Sequence, residues 1–199
     1  MKASLQRLAE RADTEGLLDV AYATVDSPFG SLLIAATPRG LVRVNLPAYD
    51  PEETLEELAA HISPRVLEAP ERLDDARREL DLYFEGKLTE FDLPIDWRLT
   101  DGFRKKVQRA IARIPYGQTR TYTDMARSAG NERAVRAAGT ACGSNPIPIV
   151  VPCHRVLRTG GGLGGYGGGL PMKESLLELE RAQAGDASRT GGYSKRRSN

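Results

Sequence analysis

Apolar and polar residues alternate along the first part of the chain, and helical spacing takes over afterwards. Val20 to Val25, Ser31 to Ala36 and Leu41 to Leu46 alternate as half-buried strands do. Asp26-Ser27-Pro28-Phe29-Gly30 and Thr37-Pro38-Arg39-Gly40 separate them with turn-forming residues. The pattern predicts an antiparallel meander of three strands. Two helices are expected to cover it: a short acidic one, Thr54 to His61, and a stronger one, Glu71 to Glu85. The second carries Leu73, Ala76, Leu80, Tyr83 and Phe84 on one stripe and stops at Gly86. Leu88 to Leu99, interrupted by Pro94, reads as an extended linker.

Helical spacing governs the second half. Phe103, Val107, Ala110, Ile111 and Ile114 define a helix ending at Pro115-Tyr116-Gly117. Thr121 with Asp124 three residues on is a capping pattern and opens a short helix to Ala129. After Gly130, Asn131 is the expected cap of a further helix, Glu132 to Gly143, which Ser144-Asn145-Pro146 ends. Helix, glycine turn and helix together make a helix-turn-helix signature. Ala134, Ala137, Ala138 and Ala141 share a face of the second helix, with Gly139 beside them. Such small residues suit either tight packing in the core or close approach to a groove; Arg133 and Arg136 favour nucleic acid. The last helix is expected from Pro171 to Ala182.

Composition adds limits. A chain of 199 residues, 40% hydrophobic and 28% charged, holds one large or two small soluble domains. Met1 to Asp19 has no apolar core of a signal peptide, and no run approaches membrane-spanning length, which predicts a cytoplasmic protein with no membrane contact. Residues 1–18 are expected to be a leader, whose amphipathic pattern (Leu5, Leu8, Ala12) suits a peripheral helix and a frayed segment equally. Residues 19–97 and 98–183 are expected to be the two domains, and residues 184–199 a polar, basic, disordered tail. Two cysteines, Cys142 and Cys153, make neither a disulfide framework nor a CxxC metal site.

The net charge of +1 hides an asymmetry. Asp50 to Asp101 carries 16 acidic against 6 basic residues, whereas Arg104 to Gly160 carries 11 basic against 2 acidic. A basic half suggests a polyanionic ligand. Attraction between the halves explains the same charges without one.

The candidate chemistry lies in Ile147-Pro148-Ile149-Val150-Val151-Pro152-Cys153-His154-Arg155-Val156. Its β-branched residues predict a short buried strand that delivers a cysteine, a histidine and an arginine at its end. A thiol attacks as thiolate, and so needs a base or positive charge nearby. Adjacent side chains of a strand point to opposite faces, so Cys153 and His154 need a turn or a bridging water to cooperate. A small buried core cysteine is the plainer reading of the same residue. The stretch Thr159 to Leu170 is glycine-rich, lacks a P-loop's lysine and serine, and reads as a close-fitting loop around a planar ligand, with Tyr166 its only aromatic residue.

From Phe103 to Arg181 the chain resembles the O6-alkylguanine-DNA alkyltransferases, also called methylated-DNA–protein-cysteine methyltransferases. The resemblance rests on Pro115-Tyr116-Gly117, Tyr122, Arg136-Ala137-Ala138-Gly139, Asn145-Pro146, Val151-Pro152-Cys153-His154-Arg155-Val156, Gly165-Tyr166-Gly167-Gly168-Gly169-Leu170 and a helix ending in Glu180. The N-terminal half is similar only in outline.

The resemblance implies an α+β fold. An RNase H-like antiparallel-sheet domain would precede a helical, winged-helix-like domain containing the helix-turn-helix. It also implies repair of double-stranded DNA containing O6-alkylguanine, with O4-alkylthymine left open, by irreversible, stoichiometric transfer of the alkyl group to Cys153, without a cofactor or an obligatory protein partner. The N-terminal zinc ligands of some members are missing here, so no metal is expected, and a monomer is the default. His154 would act as base through a water, oriented by Glu180. Asn145 would tie the turn before the active-site segment, and Tyr166 would donate to guanine N3. Gly167 N–H would face O6, while the carbonyls of Cys153 and Val156 would accept from the exocyclic amine. Arg136 would fill the stack and Tyr122 would turn the phosphate. Ala137, Ala138 and Gly139 would line the minor-groove contact, joined by Arg155. Three departures stand out. Cys142 is unusual on that helix, Gly167 replaces a serine found in some members and suggests a looser fit at O6, and Arg158 is an added candidate for phosphate contact. The competing readings are a damage sensor that transfers nothing and a thiol hydrolase or redox regulator.

Overall fold

The computed structural model describes Arg11, Gly16 and residues 18–190, with side chains as far as Gln183. The leader expected at residues 1–18 lies almost wholly outside the described residues, as do residues 191–199.

The meander forms from β1 (Val20–Val25), β2 (Leu32–Thr37) and β3 (Gly40–Asn45), paired antiparallel. A fourth strand, β4 (Val66–Glu68), lies parallel to β1 and gives the order β3-β2-β1-β4. The sheet is therefore mixed, where the sequence predicts a wholly antiparallel one. Three residues are too few for alternation to register. Between β3 and β4 runs α1 (Pro51–His61), capped by Asp50, which accepts from the Glu52 N–H at 2.9 Å. Leu58 of α1 packs on Val20, Ala35 and Val42 on one face of the sheet. The other face takes α2 (Asp74–Phe84) through Leu80 and Tyr83.

The second half contains α3 (Gly102–Ile111), α4 (Tyr122–Ser128), α5 (Val135–Gly143) and α6 (Gly169–Thr190), with a small parallel pair, β5 (Arg120–Thr121) and β6 (Val156–Leu157). Thr121 and Asp124 form a reciprocal capping box at the start of α4. Helices α4 and α5 are the helix-turn-helix. The second begins three residues later than expected, because Asn131 accepts from the Ala134 N–H at 3.0 Å and closes a turn before the helix instead of capping it. At the other end, α6 continues to Thr190, so residues 184–190 are helical where the sequence predicts a disordered tail.

One apolar cluster joins the halves: Leu32, Ile34 and Val44 of the sheet belong to the same core as Val107, Ile111, Ile147 and Leu176. Two backbone ties fix the register. Val44 N–H donates to Pro146 O at 2.9 Å, which fastens β3 to the segment leading to Cys153. The expected linker is also held: Leu41 N–H donates to Pro94 O at 2.8 Å, and Asp96 N–H to Leu41 O at 2.9 Å. Gly40, at φ +127, makes that approach possible because a Cβ there would meet the Pro94 carbonyl. Among the described residues no helix is long and apolar enough to cross a membrane.

Candidate active site

Where Ile147 to Val156 predicts a strand, the chain turns. Val151 N–H donates to Ile147 O at 2.8 Å, Ile149 takes a left-handed φ of 74°, and Cys153–Arg155 form a 3-10 turn. Only Val156 and Leu157 are strand. The reason is chemical: Pro148 and Pro152 have no N–H to offer a ladder. Asn145 takes over that bonding, its Nδ2 donating to Val151 O at 2.7 Å and its Oδ1 accepting from Ile147 N–H at 3.1 Å. Side chains on a 3-10 turn are spaced about a third of a circle apart, so Cys153, His154 and Arg155 fan out instead of alternating across a strand.

The three then meet different surroundings. Cys153 is buried, and burial pushes its thiol up; the Asn145 side chain, the Lys173 charge and the N–H groups of Cys153 and His154 pull the other way. The resting sulfur is a thiol with thiolate-stabilising groups already in place. His154 is fully buried, and burial holds its imidazole below the ordinary value despite Glu180. Its Nε2 lies 2.8 Å from Glu180 Oε1. A carboxylate can only accept, so Nε2 carries the hydrogen and Nδ1 is the free base. Buried Nδ1 has no protein partner.

Glu180, on α6, gathers donors from four places. Tyr83 of α2 donates its hydroxyl at 2.8 Å, Gly117 its N–H at 3.1 Å, His154 its Nε2–H, and Arg155 both Nε and Nη2, the latter at 2.8 Å. Burial opposes the charge on Glu180, but the bonds from His154 and Arg155 outweigh it and hold the carboxyl down at about 2.

The expectation that Arg155 contacts DNA is corrected. Its guanidinium is buried against Glu180, and Nη1 donates to Ile114 O at 2.5 Å. Ala138 is corrected as well. It is buried with Ala141 in the core, so this part of the alanine face serves helix packing, while Arg136 and Ala137 stay exposed and Gly139 is half-buried beside the Tyr122 ring.

Cys153 opens on a cavity of about 560 Å³ shared with Tyr49, Asn145, Pro148, Tyr166 and Gly167. A second cavity, of about 390 Å³, is lined by Tyr122, Gly139, Arg158 and Gly164 and shares Tyr166 and Gly167 with the first. The Tyr166 hydroxyl is buried without a partner, and burial pushes it well above its usual range, so it stays an O–H donor. Cys142 lines the larger cavity too, but burial, and then its neighbour Cys153, push it up to about 12. The space where a residue-167 side chain would lie is occupied: an added Cβ would meet the Tyr49 hydroxyl at 2.5 Å. The Tyr49 hydroxyl thus stands where the side chain that Gly167 lacks would begin. Val156 O already accepts from Lys173 Nζ at 2.6 Å, leaving one lone pair for a ligand.

Three residues around the site carry no distinguishing signal in the sequence. Tyr83 sits on an apolar stripe like any core aromatic, Lys173 falls in a charged helix yet is fully buried, and Tyr49 lies in a turn. Among the described residues no group of three or more His, Cys, Asp or Glu could hold a metal ion.

Comparison with known proteins adds the last finding. Residues 102–182 match the family model described as 6-O-methylguanine DNA methyltransferase, DNA binding domain, and residues 20–97 match its ribonuclease-like domain. A methylated-DNA–protein-cysteine methyltransferase of Mycobacterium tuberculosis is 45% identical over 165 residues, 83% of this chain and 94% of that protein. One from Methanosarcina barkeri is 42% identical over 159 residues, 80% of this chain and 96% of its own. Among solved structures, the Mycobacterium tuberculosis OGT in complex with DNA aligns with TM-score 0.70 at 38% identity, covering 82% of this chain and 94% of that one.

Proposed function

Because the chain belongs to the methylated-DNA–protein-cysteine methyltransferase family, we propose that it repairs double-stranded DNA by taking the alkyl group of an extruded O6-alkylguanine onto Cys153. The observation that carries this reading is a cavity-lining Cys153 followed directly by a buried, neutral His154, whose Nε2 is held 2.8 Å from the ionised Glu180 carboxylate and whose Nδ1 is left without a protein partner.

The Cys153 sulfur attacks the alkyl carbon, forming a carbon–sulfur bond as the carbon–O6 bond breaks. The thiol proton passes through a water to His154 Nδ1, and the departing guanine takes up a proton in exchange. Tyr166 supports the leaving base by donating to N3, and Gly167 N–H faces O6. Asn145 holds the turn and favours the thiolate. Arg136 and Ala137, exposed on α5, and Tyr122, beside Gly164, meet the DNA and the flipped nucleotide. Gly139 allows the close approach of α5. The protein works as a cytoplasmic monomer, without cofactor or obligatory protein partner.

A thioether has no easy route back to a thiol, so each molecule reacts once. Duplex containing O6-methylguanine in excess over protein is expected to lose one lesion per protein molecule and then no more. Continued loss beyond that plateau contradicts a single-use acceptor, and binding with no loss of the lesion favours a damage sensor.

A further inference from the structure

We propose that Tyr49, on the turn after β3, forms an aromatic wall of the alkyl-group subsite and makes this chain favour flat, bulky substituents over methyl. The inference rests on the transfer reading above and names the part of the cavity that receives the group. Tyr49 is 48% exposed, one of two large hydrophobics left open among the described residues. It lines the cavity into which Cys153 opens, together with Pro148, Tyr166 and Gly167. Its hydroxyl would lie 2.5 Å, and its nearest ring carbons 3.3 Å, from a Cβ added at Gly167. The ring thus occupies the place of the side chain that position 167 lacks.

The backbone beneath the ring is fixed. Tyr49 N–H donates to Leu46 O at 3.0 Å, and the buried Asn45 donates its Nδ2 to Tyr49 O at 3.1 Å. One residue back from Asn45, the Val44 N–H bond to Pro146 O couples this strand to the segment that Asn145 braces beside Cys153. Tyr49 is therefore set by the N-terminal half but registered to the sulfur. When the reacting carbon of a substrate sits at the sulfur, the rest of the substituent has this cavity to occupy. A methyl group leaves the ring untouched, whereas a benzyl group reaches an aromatic face that is still half uncovered. Aromatic pairs gain from such contact beyond simple burial.

The test compares alkylation rate constants for duplexes carrying O6-benzylguanine and O6-methylguanine, read as adduct mass on the intact protein. In Tyr49→Ala the benzyl-to-methyl ratio is expected to fall roughly 3- to 10-fold, and in Tyr49→Phe to stay near that of the unaltered chain. Gly167→Ser is expected to lower the ratio by pushing the ring aside, with no further fall when combined with Tyr49→Ala. A ratio unchanged or raised in Tyr49→Ala overturns the proposal, as do additive effects in the double variant. If the unaltered chain forms no adduct with either duplex, the transfer reading itself fails and this inference falls with it.

Discussion

Arg136 and Arg155 show how far a residue's neighbours decide its work. Arg136 is exposed on α5, while Arg155 is buried with its guanidinium on Glu180. Removing Arg155 leaves a buried carboxylate short of its cation, a loss on the order of 3–5 kcal/mol. Arg155→Ala is therefore expected to lower the unfolding free energy by about that much, and Arg136→Ala to change it by less than about 0.5 kcal/mol. The alkylation pattern should be the reverse for Arg136→Ala: slow on duplex, near normal on free O6-benzylguanine, which needs no flipping. Denaturant melts with the two rate measurements check this, and equal loss on both substrates would remove Arg136 from the flipping role. Nothing in the sequence separates these arginines, since each stands in a motif beside small or apolar residues. Burial is settled only by the fold, which brings Glu180 and Ile114 to Arg155 from α6 and from the end of α3.

At the scale of elements, α6 and the 3-10 turn form one electrostatic unit with a pH signature. Glu180 is held at about 2 against an ordinary 4.5, so its stabilisation is complete above pH 4.5 and lost as pH falls toward 2, a contribution on the order of 3 kcal/mol. His154 is also depressed below its ordinary 6.5. It therefore adds no penalty above pH 6.5 and destabilises the fold at lower pH, where the unfolded chain takes up a proton that the buried ring resists. Thermal melts are expected to show a Tm that is steady around neutrality, declines below pH 6.5 and drops further below pH 4.5. A Tm flat down to pH 3 would contradict the buried, neutral imidazole. The elements themselves were unevenly legible. Strands β1 to β3, the stripe of α2 and the helix-turn-helix follow from periodicity because each has one buried face. The segment before Cys153 misleads because its β-branched residues are buried on all sides, as in a central strand, and only Pro148 and Pro152 betray the turn. β4, with three residues, carries no period at all.

On the scale of the whole molecule, the two halves are one machine rather than a reader and its support. Tyr83 of α2 reaches Glu180, Val44 of β3 fastens the segment before the cysteine, and Tyr49 enters the cavity. None of these contacts is readable from the chain, because each depends on how the sheet docks against α3 and α6. What was readable is the arrangement within the second half, where capping residues, small-residue positions and the Cys153-His154 pair are close in sequence. The charge asymmetry was readable too. Ion pairs such as Arg77–Asp74, Arg78–Asp75 and Arg127–Glu132 join near neighbours within their own half, so attraction between the halves is not what these pairs serve. The central claim concerns one sulfur atom, and the mass of the intact protein tests it most directly. After mixing with duplex DNA containing O6-methylguanine, the chain is expected to gain the mass of a single methyl group, mapped by peptide fragmentation to Cys153 and absent in Cys153→Ala. A protein that binds this duplex and keeps its original mass, or carries the methyl on Cys142 instead, would contradict the account.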